Sequence, residues 1–271
     1  MDCDNLKEKI KEDLEKTGFL SEMRALATFR RRDWIATGST SFFDLDEEIS
    51  RESDIQAYIS SNEMEGKKYL VHTFFQITAE VKKSERPWVV FKEIPHWEWF
   101  LGERWDSLVS TAGIPSERPE ALTEALNGHS LSAQLGWLGN GIHEFKKNPD
   151  QPSRWYSSLV SVCKAAEGRL EANSRKDADQ KKTFPYLFFV KPVIILDGSL
   201  IAASLNNNDV ILEEINAATV QFYFLSKKYR RGRYKIDIVV LPYLDEYLQL
   251  CEKRHKEIFG ALKKIVLKKG R

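Results

Sequence analysis

The chain has 271 residues, of which 42% are hydrophobic and 30% charged, and its 41 basic and 40 acidic residues leave a net charge of +1. This composition indicates a globular, soluble chain with an ordinary apolar core, and the near-zero charge argues against a general cationic coat for nucleic acid. The longest apolar runs fall far short of the ~20 residues that cross a bilayer. A membrane-spanning segment is therefore not expected.

The first residues are charged and contain no apolar stretch of the signal-peptide type. Cys3, Cys163 and Cys251 lie too far apart for a zinc knuckle, and their odd number does not suggest a disulfide framework. The five histidines also lack metal-ligand spacing, so neither a zinc site nor a Ser-His-Asp triad is favoured. We expect a cytoplasmic protein.

Two helices are predicted at the start of the chain. Apolar residues repeat at helical spacing over residues 4–16, and a second helix begins near Leu20. On the second helix, Glu22 shares a face with the apolar residues Phe19, Met23, Leu26 and Phe29. A carboxylate on an apolar stripe requires a partner, so Glu22 is a candidate site residue. The alternative is a carboxylate that faces water or interacts with the helix dipole.

Polar residues follow one face of the strands predicted next. These strands cover residues 35–46, 54–61 and 69–82, and a short further strand covers 88–91. Asp54 opens the second strand on its polar side, and Glu80 and Lys82 share the polar side of the third. If the two strands are neighbours, the two carboxylates and the lysine meet.

Residues 93–151 interrupt this pattern. Trp97, Trp99, Trp105 and Trp137 lie there among four prolines, which favours an aromatic, loop-rich and partly helical insertion rather than another strand. Its aromatic and basic residues could stack bases or line a surface that DNA approaches. They could equally form a small satellite core, which is the commoner arrangement.

The rest of the chain predicts one α/β domain over residues 1–271, with a mixed sheet, helices on both faces and the insertion at 93–151. The predicted elements are a crossover helix at 155–170, strands at 186–196 and 199–205, a hairpin of 218–225 with 234–241, and a helix at 244–267. The final helix is a candidate dimer interface. Basic residues form the tip of the hairpin, which either contacts phosphates or is merely solvated.

The order of the polar residues resembles the PD-(D/E)XK superfamily, whose members have a restriction-endonuclease-like fold. Glu22, Asp54 and the triplet from Glu80 to Lys82 follow the family's order, and the strings RESDI, ending at Ile55, and EVKKSERPWVVF, starting at Glu80, resemble one branch of it. The resemblance is good over residues 17–92 and looser over 140–200. Ser53 stands where the family often has a proline.

The resemblance implies a Mg²⁺-dependent endonuclease that hydrolyses phosphodiester bonds, with Mn²⁺ as a substitute ion. Asp54 and Glu80 would bind the metal with the main-chain carbonyl of Val81, and hard divalent cations prefer such oxygen ligands. Lys82 would orient or deprotonate the attacking water or stabilise transition-state charge, and Glu22 would hold a water or a second metal. All four are implied to be catalytic.

DNA is the favoured substrate and RNA the less favoured one, because the superfamily mostly cuts DNA. A defence, repair or mobile-element role is compatible with this, and a homodimer or a partner subunit would allow cleavage of both strands. One alternative is an inactive nuclease-fold subunit that binds nucleic acid or a partner protein. Another is that Asp54, Glu80 and Lys82 form only an exposed salt-bridge ladder.

Overall fold

The computed structural model describes residues 3–66, 68–92, 108–112, 135, 138–146, 153–180, 186–229 and 232–267. The helices in these ranges are α1 (Cys3–Thr17), α2 (Phe19–Arg31), α3 (Arg154–Gln180) and α4 (Leu244–Leu267), with a 3-10 turn at Leu241–Tyr243. The strands are β1 (Ile35–Asp44), β2 (Ile49–Glu65), β3 (Lys68–Lys83), β4 (Trp88–Lys92), β5 (Leu108–Ala112), β6 (Leu138–Glu144), β7 (Tyr186–Asp197), β8 (Leu200–Asn206), β9 (Asp209–Glu214), β10 (Ala217–Tyr223) and β11 (Arg233–Val240). None of these helices has the length and apolar content that crossing a membrane requires.

The described strands form one mixed sheet in the order β1-β2-β3-β7-β11-β10-β6-β4-β8-β9, and β5 also pairs with β7. Strands β1, β2 and β3 are antiparallel neighbours, whereas β3 and β7 run parallel. β7 is buried along nearly its whole length, which explains its continuous apolar sequence, because a strand covered on both faces has no need of alternation. The predicted α/β class with a mixed sheet is confirmed.

Helices cover both faces of the sheet and create two apolar cores. On one face, Phe29 of α2, Leu248 of α4 and Ile77 of β3 belong to one core. On the other face, Leu159 and Val162 of α3 belong to a second core that includes residues of β4, β7 and β11. Successive side chains of β3 therefore alternate between the face covered by α2 and α4 and the face covered by α3.

The prediction that residues 93–151 add no strand is wrong. β5 pairs with β7, and β6 lies between β10 and β4. Gly139 is one reason that β6 escaped recognition, since a side chain there would place its Cβ 2.3 Å from Val90 Cγ1 of β4. The close approach of the strands thus requires a residue with no β-propensity of its own. The four tryptophans of this range lie outside the described residues.

Strand β9 and the full length of β2 were also not predicted. β2 begins at Ile49 rather than at residue 54, and β9 is exposed along its whole length, so it lacks the alternation that marks a half-buried strand. β9 pairs with β8 at the end of the strand order. An edge strand of this kind leaves little signal in the sequence.

The expected apolar stripe on α2 differs in the structure. The buried residues of this helix are Ser21, Ala25 and Phe29. Phe19 and Met23 are 46% and 52% exposed. Of the predicted stripe, Phe29 is buried and Leu26 packs partly buried against the core, and Ser21 and Ala25 complete the face that α2 turns inward.

α4 uses its apolar face within the protein. Leu248, Cys251, Ile258 and Leu262 are fully buried against the sheet. A dimer contact through this helix, as expected from the sequence, would therefore have to use its charged outer face.

The basic hairpin is confirmed as β10 paired antiparallel with β11. The described part of its tip packs against the turn between β1 and β2, where the buried Tyr229 donates its hydroxyl hydrogen to Asp44 Oδ1 at 3.0 Å. Lys228 forms an exposed ion pair with Glu48 at 3.1 Å. Arg230 and Arg231 lie outside the described residues, so the two alternatives for the tip, a phosphate contact and a solvated tip, stay predictions.

Candidate active site

The pairing of β2 with β3 brings the candidate residues to one place. Ile55 pairs with Ala79, and both side chains lie in the core on the α2 and α4 side. Because side chains alternate along a strand, Asp54 and Glu80 point to the opposite face, toward α3. Lys82 follows two residues later on the same face of β3.

Lys82 lies between the two carboxylates. Its Nζ atom is 2.7 Å from Glu80 Oε2 and 3.1 Å from Asp54 Oδ2. The backbone N–H of Val81 also donates to Asp54 Oδ2, at 2.7 Å. Asp54 is thereby fixed to the neighbouring strand by both a main-chain and a side-chain donor.

Ser161 of α3 is a site residue that the sequence interpretation missed. Its hydroxyl donates to Glu80 Oε1 at 2.9 Å, so each oxygen of Glu80 accepts one hydrogen bond. The only signal in the sequence was a serine between the apolar residues Leu159 and Val162 of a helix predicted to cross the sheet. Its partner could not be identified without the packing of α3 on β3.

Glu22 enters the site from the first turn of α2. Gly18, with a φ of +83°, makes the left-handed turn between α1 and α2, and its carbonyl accepts the backbone N–H groups of Ser21 and Glu22 at 3.0 and 3.3 Å. Ser21 Oγ donates to Asp197 Oδ2 and ties this turn to the end of β7. No hydrogen bond from the described residues reaches the Glu22 carboxylate.

The electrostatics of the site keep Lys82 protonated and oppose ionisation of the glutamates. Burial lowers the pKa of Lys82, but the charges of Glu80 and Asp54 raise it by more, so its net pKa lies above the ordinary value. Burial also raises the pKa of Glu80, against the opposing effect of Lys82. Burial and the charge of Asp54 raise the pKa of Glu22.

An open polar cavity of about 530 Å³ lies beside these residues. Its walls come from the turn between α1 and α2, the β2–β3 pair, the turn between β3 and β4, the end of β6 and the start of α3. The lining residues are Lys16, Thr17, Gly18, Glu22, Asp54, Val81, Lys82, Lys83, Ser84, Glu85, Arg86, Glu144 and Arg154. Among the four predicted residues, Glu80 is the most enclosed, with 8% of its side chain exposed.

The described residues contain no group of three or more His, Cys, Asp or Glu side chains arranged to hold a metal ion. A cage made entirely of protein ligands is therefore not supported within these ranges. Mg²⁺, however, is commonly bound by one or two carboxylates with waters and substrate phosphates. Asp54 and Glu80 fit that chemistry, because both carboxylates point the same way and Asp54 Oδ1 has no hydrogen bond from the described residues.

An exposed salt-bridge ladder describes only part of this arrangement. Such a ladder leaves both charged partners in water and contributes about 0–1 kcal/mol to stability. Here 30% of the Lys82 side chain and 8% of the Glu80 side chain are exposed. The group is a partly enclosed cluster at the wall of a cavity.

Comparisons with known proteins add no relative to these observations. No protein-family model, no curated protein and no solved structure matches the chain. A function for this protein therefore rests on the named residues and their geometry.

Proposed function

We propose that this protein is a divalent-metal-dependent nuclease of the PD-(D/E)XK type that hydrolyses phosphodiester bonds, with DNA favoured over RNA. The observation that carries the proposal is the convergence of Asp54 and Glu80 on the ammonium group of Lys82 at the wall of an open polar cavity. Two carboxylates beside a lysine are the groups that metal-assisted phosphodiester hydrolysis uses.

A Mg²⁺ ion bound through Asp54 and Glu80 would supply charge neutralisation for the phosphate and a bound water of lowered pKa. The hydrogen bond from Val81 N–H and the one from Ser161 orient these two carboxylates without occupying all their lone pairs. The backbone and α3 therefore fix the ligand geometry before any substrate arrives.

Lys82 acts as a hydrogen-bond donor in this proposal. Its raised pKa keeps the ammonium charged, so it can position the attacking water and stabilise the negative charge that develops on the phosphate. Glu22 projects into the same cavity, and its raised pKa suits a group that exchanges a proton with water. These assignments give the four residues different tests.

A second candidate function is a non-catalytic subunit that uses the cavity to bind nucleic acid or a partner protein. The observation that favours it is the occupation of both carboxylates by Lys82, which would have to be displaced in part before a cation could bind. In that case the polar cluster would serve binding alone. The same experiment separates the two functions.

The experiment incubates the purified protein with supercoiled plasmid, linear duplex, single-stranded DNA and RNA in Mg²⁺, Mn²⁺ or EDTA. We expect cleavage with Mg²⁺ or Mn²⁺, none in EDTA, and none with Asp54→Asn. Asp245→Asn is the matched control, because Asp245 pairs with Arg31 and Arg32 on another surface of the protein. Cleavage in EDTA, or full activity of Asp54→Asn, would refute the nuclease.

Cleavage of both strands requires two catalytic events, and the described residues place one lysine–carboxylate cluster, that of Lys82, at the cavity. We therefore expect a homodimer, a partner subunit or two successive nicks. The cleavage rate measured against protein concentration distinguishes these routes, because nicking by a monomer rises linearly and a dimer gives a steeper dependence.

A further inference from the structure

Glu144, at the end of β6, lines the same cavity as the proposed catalytic residues. It pairs with Trp88 in the β4–β6 ladder, and Trp88 and Ile142 both lie in the core on the α3 side. The side-chain alternation of β6 therefore turns Glu144 toward the α3 side as well, which is the face to which Glu80 points. β3 and β6, which are distant in sequence, thus direct Glu80 and Glu144 to the same face of the sheet.

The Glu144 carboxylate is enclosed but has no partner in the described part of the chain. The residue is 6% exposed, and no hydrogen bond or ion pair from the described residues reaches its side chain. Buried polar groups are nearly always hydrogen-bonded, so the unpaired carboxylate of Glu144 at the cavity wall is available to a ligand that enters the cavity. That ligand has to donate hydrogen bonds or carry positive charge.

Three exposed cations lie in the wall of the same cavity. Lys16, Arg86 and Arg154 form no ion pair with the described residues. The wall also holds carboxylates, but these three cations are available to an anionic group of a ligand such as a phosphate.

A metal ion or another cationic ligand at Glu144 is disfavoured by Lys83, Arg86 and Arg154 in the same cavity wall. The remaining class of ligand for Glu144 is a neutral group that donates an N–H hydrogen bond. A nucleotide has such a donor in the exocyclic amino group of its base, and it also carries an anionic phosphate.

We propose that the cavity binds one nucleotide of the substrate strand, with a phosphate at Arg86 and Arg154 and an amino-bearing base at Glu144. The proposal rests on the proposed nuclease function for the identity of the polymer. Carboxylates accept hydrogen bonds from the amino group of cytosine, whereas thymine carries no exocyclic amino group. The volume of about 530 Å³ is sufficient for a ligand of this size. Glu144 is thus a specificity-determining residue.

The test measures binding of labelled single-stranded dC12, dA12 and dT12 by fluorescence anisotropy, with Ca²⁺ in place of Mg²⁺ to suppress turnover. We expect dC12 and dA12 to bind about tenfold more tightly than dT12, which corresponds to one good base contact. Glu144→Ala removes this preference, and Glu144→Gln, which keeps one acceptor oxygen, restores part of it. Glu213→Ala is the matched control, because Glu213 is an exposed carboxylate of β9 that does not line the cavity, and it should leave the preference intact.

A second arm tests the phosphate contact. Arg86→Ser should weaken binding of all three oligonucleotides equally and reduce the slope of log affinity against log salt by about 0.7, the value for one contact to a single strand. Lys253→Ser, which removes an exposed cation of α4 outside the cavity, should leave the slope unchanged. Equal affinity of the wild-type protein for dC12 and dT12, a preference that survives Glu144→Ala, or an unchanged slope in Arg86→Ser would overturn the proposal.

These outcomes do not depend on whether the protein proves to be a nuclease. Because binding is measured without turnover, a base preference that depends on Glu144 would stand even if no substrate were cut. Cleavage without any base preference would refute the proposed contact between Glu144 and the base, but it would support the proposed nuclease function.

Discussion

Two of the lysine–carboxylate groups in the described part of the chain differ in how completely their charges are satisfied. Lys191 and Asp237 form an ion pair at 2.8 Å with both side chains fully buried. Thr219 and Tyr247 donate to the two oxygens of Asp237 at 2.7 and 2.9 Å. Lys82, by contrast, is shared by two carboxylates at the wall of an open cavity.

This difference indicates which of the two groups can bind a ligand or take part in a reaction. In the core pair, each oxygen of Asp237 already has a donor, and Lys191 also donates to the carbonyl oxygen of Lys235 at 3.3 Å. A fully bonded pair stabilises one arrangement and has no capacity for a ligand. The Lys82 cluster keeps unused lone pairs and access to water, so its ions can exchange partners.

The largest expected effect is on cleavage after the loss of Glu80. Glu80→Ala should lower the cleavage rate at least ~1,000-fold because it removes one of two proposed metal ligands. The free energy of unfolding should change by less than about 1 kcal/mol, since removal of a partly enclosed carboxylate also removes its desolvation cost. Cleavage rates and urea melts on one preparation measure both. If Glu80→Ala unfolds, or if it cleaves at the wild-type rate, then the proposed difference between a catalytic cluster at the cavity and a structural pair in the core is contradicted.

Loss of Asp237 should have the reverse pattern. Asp237→Ala leaves Lys191 as an unpaired buried cation and should lower the free energy of unfolding by about 3–5 kcal/mol. Whatever fraction remains folded should cleave at the normal rate per folded molecule, because Asp237 lies on the opposite face of the sheet, in contact with α4. Urea melts followed by circular dichroism give the stability. A change in the free energy of unfolding below about 1 kcal/mol would show that the core pair contributes no more to stability than a surface ion pair does.

A smaller effect is expected for Lys82, which separates metal binding from catalysis. Lys82→Ala removes the cation that competes for Asp54 and Glu80, so Mn²⁺ should bind more tightly, by a few-fold, in titration calorimetry. Cleavage should nevertheless fall about 100-fold, since water positioning and charge stabilisation act in the transition state. The matched variant is Lys83→Ala, whose side chain donates to the Glu15 carbonyl instead of the carboxylates. Wild-type cleavage by Lys82→Ala would leave the cluster a structural ion pair.

Much of the site could be predicted because local alternation determines it. The polar positions of β2 and β3 identified Asp54, Glu80 and Lys82 as neighbours, and the buried Ile55, Ala57, Ile77 and Ala79 fixed the opposite face. The apolar run at residues 186–196 predicted a strand, and the structure places this strand, β7, inside the sheet between β3 and β11. These features depend on a few consecutive residues and on the period of two.

The remaining features depend on contacts between distant segments. Ser161 reaches Glu80 only through the packing of α3 on the sheet, and Glu144 reaches the cavity only through the pairing of β6 with β4. The glycines of β6 made that strand hard to recognise, because they serve close backbone approach instead of β-propensity. Asp237 was predicted to lie in a strand, but its role follows from Lys191, which is 46 positions away in the sequence and cannot be paired with it by any local rule.

The smallest expected effect distinguishes the pH response of the core from that of the cavity. His255 is buried on α4, and its Nε2 atom lies 2.9 Å from Thr73 Oγ1. Burial lowers the pKa of His255 from 6.5 to about 4. The unfolded chain therefore binds a proton below about pH 6.5 that the folded protein does not bind until about pH 4. The contribution of His255 to stability should be constant above pH 6.5 and should be lost as the pH decreases through this window.

Between pH 7.5 and pH 5 the expected contribution of His255 is about 2 kcal/mol, since each pH unit below the unfolded pKa contributes about 1.4 kcal/mol. Urea melts at the two pH values measure it. His255→Gln should be less stable at pH 7.5 because the core is repacked, but its loss of stability on acidification should be smaller than that of the wild-type protein by this amount. Cleavage should be acid-sensitive for a separate reason. Burial raises the pKa of Glu80, so its carboxylate becomes protonated at a higher pH than an ordinary glutamate does. If His255→Gln retains the full acid destabilisation, the core does not hold a neutral histidine, and the cavity alone would account for the response to pH.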